Sequence, residues 1–205
     1  MASVEVVEHL SINETKTYLS NIHHVRDRAI VTLILSTGLF LKEVIELEMD
    51  DIDWEKRCIT ISKNRARQLG LNGEAFEALS NWSQSRPDTP IKNVFITTKG
   101  ATKELSERSI DHIIRKYSNT AHLVRKVNSN ILRNTFAVRF LGNATDIKAA
   151  SDILGIKDAD SIKRYLETAK QARTGHADDG LDATDSRPIL TKLIQDNFPT
   201  KPRTP

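Results

Sequence analysis

Between Asn130 and Arg173 the chain reads as three successive helices, and that succession restricts the fold more than any other feature. The first runs from Asn130 to Leu141 and carries Arg133 among the apolar Ile131, Leu132, Phe136 and Ala137, with Gly142-Asn143 ending it. Thr145 stands where it can cap the second, Asp146 to Leu154. Gly155 follows the last turn, where a left-handed residue commonly closes a helix. The third runs from Asp158 to about Arg173 and holds a lone tyrosine in Ile162-Lys-Arg-Tyr165-Leu. No strand fits in this stretch.

The N-terminal half is also largely helical. Ser11-Ile-Asn-Glu14 has the serine and glutamate spacing of a capping box and opens a helix through Leu19. Arg26 to Ser36 is mostly apolar and reads as a buried helix, broken by Thr37-Gly38. Phe40 to Leu47 makes another helix, with Leu41, Val44, Ile45 and Leu47 inward. Cys58 to Ser62 is β-rich, and Asn64 to Gly70 reads as a turn and return strand, giving a basic hairpin. Asn72 caps a helix through Trp82, Asn93 to Thr97 reads as a short strand, and Ser106 caps a helix to about Tyr117. The expected fold is mainly α with a small antiparallel β-sheet, an α+β domain over residues 1–173. Residues 174–205 are expected to be a Gly/Asp-rich linker and tail, in which Ile189, Leu190, Leu193, Ile194 and Phe198 form an apolar stripe suited to self-association.

Charge narrows the function. The net charge is only +3, but the distribution is uneven. Residues 1–55 hold four Lys/Arg against eleven Asp/Glu, residues 56–67 hold five Lys/Arg and no acid, and residues 99–139 hold nine against three. Such segregation suits a polyanion partner, although solvated helix faces produce it too. The single cysteine, Cys58, excludes an internal disulfide framework and suits a reducing compartment. No apolar run approaches the ~20 residues that a membrane helix needs. No signal peptide is evident, so a cytoplasmic, nucleoid-associated location is expected. The six histidines show no metal-ligand spacing.

The pattern Asn130-x-x-Arg133-Asn134, then Leu154-Gly155, then Tyr165 resembles the catalytic domain of the tyrosine recombinases, the phage integrase family. Further matches run in the family's order: Leu10 to Glu14, Arg26 to Ala29 followed by Ser36-Thr37-Gly38-Leu39, Ile59 to Lys63, and Leu105 to Ile110. The resemblance implies a DNA partner and phosphoryl transfer without a metal or other cofactor. A tyrosine hydroxyl attacks a DNA phosphate, a 3′-phosphotyrosyl bond forms, and the 5′-oxygen leaves. Two arginines, histidines, a His/Trp and a lysine general acid assist. Charge developing on the non-bridging oxygens needs fixed cations against it.

By this resemblance, Tyr165 matches the nucleophile, Arg133 the second arginine and Lys63 the hairpin lysine. Phe40 stands in place of the first arginine, Asn130 of the box histidine, Asn134 of the histidine that follows the arginine, and Ile156 of the His/Trp. An apolar ring cannot stabilise a developing phosphorane. The leading expectation is therefore a DNA-binding protein with an impaired site: a regulator, an accessory factor or a relic of a mobile element. Phe40 is expected to have packed inward. Lys63, Arg65, Arg67, Arg108, Arg115, Arg133 and Arg139 are the expected DNA contacts. Arg133 could instead pair with Glu43, and Tyr165 could be an ordinary helix tyrosine. Two other readings stay open: a working recombinase whose missing cations come from Arg65, Arg67 or Arg139, and a protein-interaction module that has lost DNA.

Overall fold

A computed structural model of the protein describes residues 6–63, 66–144 and 146–175. The chain enters as a strap over residues 7–10 and turns into α1 (Ile12–Ser20) through the expected capping box, with Glu14 N–H donating to Ser11 Oγ and Ser11 N–H to Glu14 Oε2. Helix α2 (Val25–Thr37) is buried on nearly every side and forms the centre of the domain, packing on α4 (Gly73–Ser85) and α6 (Ser129–Asn143). A helix buried on nearly every side can only be a central element, and the polar groups of α2 are met by internal partners such as the Arg26–Asp27 pair.

Gly38 closes α2 in the left-handed region, φ 64°. A side chain there would also run into the ring of Phe136, so glycine is required twice over. The chain then extends through Leu39 and Phe40 into α3 (Leu41–Glu46). Leu41 and Ile45 are only partly buried there, while Val44 and the following Leu47 point fully inward.

The sheet is antiparallel, in the order β1 (Ile52–Asp53), β2 (Cys58–Ile61), β3 (Arg67–Gly70). The hairpin register pairs Ile59 with Leu69 and Ile61 with Arg67. The short strand expected at residues 93–97 is not a strand. Its segment makes isolated bridges only, Glu48 with Asn93 and Ile96 with Glu104. Val94, Phe95 and Ile96 are apolar because they are buried in the core, not because they form a ladder.

Helix α5 (Glu107–Thr120) is capped by Ser106 as expected. Asn128, two residues before the expected start, caps α6 by accepting from Ile131 N–H. That helix runs through Gly142 and Asn143. For α7 (Ile147–Leu154) the N-cap is Asp146, whose Oδ1 accepts from Ala149 N–H, in place of the expected Thr145, which lies outside the described residues. Gly155 ends α7 at φ 67°. Helix α8 (Ala159–Gly175) extends two residues past the expected end and into the expected linker. The apolar stripe of the tail lies outside the described residues.

Two apolar clusters hold the domain. The larger joins α1 to α5, the sheet and the start of α6. The smaller gathers Phe136, Ala137, Phe140, Leu141, Ala150 and Leu154, with Ile156, Tyr165 and Leu166 packed against it. It seats α8 on α6 and α7.

Candidate active site

Arg133 is the centre of the candidate site. It rises from the second turn of α6 with only 7% of its surface exposed. Nη1 donates to the carbonyl of Gly38 and Nη2 to the carbonyl of Leu154, the latter at 2.7 Å. Gly38 caps the end of α2, and Leu154 is the last residue of α7. Helix C-terminal carbonyls lack intrahelical donors and carry partial negative charge, so a buried cation is well placed between two of them. The two left-handed glycines, Gly38 and Gly155, end both helices at this point.

The ring of Phe40 lies over the Arg133 guanidinium, 3.5 Å from its carbon to the ring centroid. The expectation that Phe40 packs into the core fails: it is 45% exposed. A cation beneath one ring face supplies the attraction that burial would otherwise provide.

Glu43 accepts from Phe40 N–H at 2.9 Å through Oε2. The same carboxylate receives Arg67 from β3 in a two-pronged pair, Nη1 to Oε1 at 2.7 Å and Nη2 to Oε2 at 3.0 Å. Both side chains are about nine-tenths covered. Glu43 thus ties the return strand of the hairpin to the turn that carries Phe40, and the partner the structure gives it is Arg67.

Tyr165 sits half-buried on α8 beside the smaller apolar cluster. Its hydroxyl donates to Asn134 Oδ1 at 2.8 Å. Burial raises the phenol above its ordinary value, against the opposing charges of Arg133 and Arg164. The Nδ2 of Asn134 donates to the carbonyl of Glu8 at 3.1 Å. Asn130 is exposed one turn earlier on α6, and Ile156 is part-buried against the same cluster as Tyr165.

Arg133, Phe40, Asn134 and Tyr165 therefore meet in one place, and Ile156 borders it. Lys63 is exposed near the hairpin tip, and Arg65 lies outside the described residues. Arg108 and Arg115 are exposed on α5, where Arg115 pairs with Asp111. Arg67 and Arg139, both among the expected DNA contacts, are engaged by the protein itself. Arg67 is held by Glu43 as described. One terminal nitrogen of Arg139 donates to the carbonyls of Leu10 and Ser11 and to Thr15 Oγ1, and burial depresses its pKa to about 10. Among the described residues, no group of three or more His, Cys, Asp or Glu side chains could hold a metal ion.

One part of the site had no signature in the sequence. The strap brings Val7 N–H to Thr168 Oγ1 at 3.0 Å and Leu10 N–H to Thr135 Oγ1 at 2.9 Å, beside the Glu8 contact. Its polar contributions are backbone groups, which every residue possesses.

The phage integrase family model matches residues 4–172, so this chain belongs to that family. Tyrosine recombinase XerC of Shewanella oneidensis is 30% identical over 144 residues, covering 68% of this chain and 46% of that protein. Tyrosine recombinase XerD of Staphylococcus epidermidis is 26% identical over 174 residues, covering 82% of this chain and 58% of the relative. The chain thus spans about half the length of the curated relatives it matches. Among solved structures, XerA recombinase superposes with TM-score 0.75 at 23% identity, covering 89% of this chain and 66% of that one. XerH site-specific recombinase gives TM-score 0.69 at 24% identity, covering 84% and 53%. Both share the fold described above.

Proposed function

We propose that this chain is a DNA-binding domain, acting in or derived from DNA recombination, whose strand-transfer chemistry is impaired. The observation that carries this reading is the state of Arg133. Its guanidinium is covered by the Phe40 ring while both terminal nitrogens donate to helix-end carbonyls. A DNA phosphate reaching it must displace a cation–π contact and compete with two carbonyls. Where the family resemblance places a second guanidinium, this chain offers only the ring. Loss of one oxyanion donor typically slows such chemistry by about 10²–10³. Asn130 and Ile156 supply neither a base nor a cation at their positions.

DNA as partner is supported by the segregated basic residues and by the neighbours. The similar XerH structure is of the recombinase bound to a palindromic difH substrate, and a similar Tn1549 transposon integrase structure is a complex with circular intermediate DNA. Lys63, Arg108 and Arg115 are the proposed phosphate contacts, with Arg65 beside them in sequence. The pair that Arg115 makes with Asp111 leaves the arginine largely exposed, so it is easily exchanged for a phosphate. No helix among the described residues is long and apolar enough to cross a membrane. A nucleoid-associated place in the cytoplasm follows from the DNA partner.

The test is covalent trapping on a nicked duplex that lets the cleaved strand diffuse away. The expected result is bound DNA without a denaturant-resistant adduct. An adduct that forms with the unaltered chain and is lost in Tyr165→Phe would overturn the impairment and make Tyr165 a working nucleophile.

A further inference from the structure

The strap over residues 7–10 touches the candidate site at two points, and both lead to Tyr165. Asn134 is the first. A backbone carbonyl can only accept, so the Glu8 carbonyl requires the amide nitrogen of Asn134 to face it. That fixes the side chain's orientation and leaves Oδ1 toward Tyr165. An amide oxygen also only accepts, so the phenol must donate, and a donating phenol must keep its proton. Thr168 is the second point. It lies on α8 one turn beyond Tyr165, is fully buried, and receives Val7 N–H on the same hydroxyl oxygen that donates to the Arg164 carbonyl.

We infer that the strap sets the state of Tyr165: seated, it holds the phenol protonated through Asn134 and pins α8 through Thr168; lifted, it lets the Asn134 amide turn and present its N–H₂ to the phenol oxygen. Asn134 and Thr168 are then positioning residues for Tyr165. An amide donor facing the phenol oxygen favours the phenolate, whereas an amide oxygen facing it favours the phenol. The charged groups acting on Tyr165 are Arg133 on α6 and Arg164 on α8, and both oppose the effect of burial. This device stands whether or not strand transfer is impaired, since it concerns the tyrosine's proton and not DNA cleavage.

The test needs no DNA. The 205-residue protein with 13C-labelled tyrosine reports each phenol by NMR. Tyr18 and Tyr117 are buried in the larger cluster, with hydroxyls on the Ile114 carbonyl and on Asp27, and so report whether the core is intact. A chain beginning at His9 lacks both the Val7 amide and the Glu8 carbonyl but keeps Leu10. The milder Val7→Pro removes only the amide, and serves if the truncation disturbs Tyr18 or Tyr117. The expected result in either is a lower Tyr165 titration midpoint, moved towards the ordinary phenol value. Asn134→Leu in the intact chain removes the relay, so adding the truncation to it should move Tyr165 no further. If the truncation and Val7→Pro leave the Tyr165 midpoint and resonance unchanged, the strap does not act on the tyrosine and the inference fails. It also fails if the truncation shifts Tyr165 equally with and without Asn134→Leu, because the effect would then bypass the relay.

Discussion

At the scale of single residues, Phe40 and Arg133 determine how the site behaves. Around the buried Arg133 guanidinium an aromatic face and two helix-end carbonyls come together. Because the ring is only half covered, its contribution is chiefly the cation–π contact, worth about 0.5–1 kcal/mol at exposed sites. Phe40→Ala should therefore lower unfolding stability by about that amount in urea denaturation, well short of the loss for a core phenylalanine. Phe40→Arg should cost more, since it sets two guanidinium groups against each other. It should still yield no cleavage product on a nicked duplex, because Asn130 and Ile156 are unchanged. Arg133, Tyr165 and the anomaly at Phe40 were all legible as residue types in sequence. The stacking of the ring was not. A phenylalanine in a cation's place suggests an inward side chain, and only the tertiary approach of α6 to the α2–α3 turn shows a cation waiting beneath it.

Among the elements, α8 is the one whose seating governs Tyr165. A side chain at Gly142 on α6 would place its Cβ 2.7 Å from Cβ of Ala169 on α8. A helical glycine replaced by alanine ordinarily gains stability. Here Gly142→Ala should reverse that sign and destabilise by about 1–3 kcal/mol, as overpacking does. Thermal unfolding checks it, and adding Ala169→Gly should recover most of the loss. The start of α8 is held by Asp158, whose carboxylate accepts from both the hydroxyl and the amide of Ser161. Those bonds, the hydroxyl first, keep its pKa below the ordinary value. A depressed carboxylate contributes stability above its unfolded pKa and loses it as pH falls through the folded one. Amide exchange at Ser161 should accordingly be protected at pH 6 and lose protection below about pH 4, and Asp158→Asn should show weakened protection throughout. Helix signals made most of these elements legible: the Ser11–Glu14 box, the caps at Asn72 and Ser106, and the glycines at 38 and 155. The two-residue strand Ile52–Asp53 gave too short a pattern to read. At residues 93–97, burial mimicked a strand's composition.

For the molecule as a whole, the uneven charge matters more than its sum. Binding to duplex DNA should weaken steeply with salt as condensed counterions are released. Arg108→Ala and Arg115→Ala should each flatten the logarithmic salt slope by roughly one unit if that residue contacts a phosphate. Fluorescence anisotropy across a salt series measures this, and an unchanged slope in both variants removes α5 from the DNA face. Arg67→Ala should act otherwise, lowering stability because Glu43 loses its buried partner. The contact between Val7 and Thr168 joins residues 161 positions apart, and that between Arg133 and Gly38 spans 95. Closing such long loops costs entropy before any contact is made, so distant pairings form late in folding. A chain emerging in the order of its synthesis leaves Val7 without its partner on α8 until Thr168 appears. The candidate site is thus completed only by the last described helix, after the larger apolar cluster already has every residue it needs.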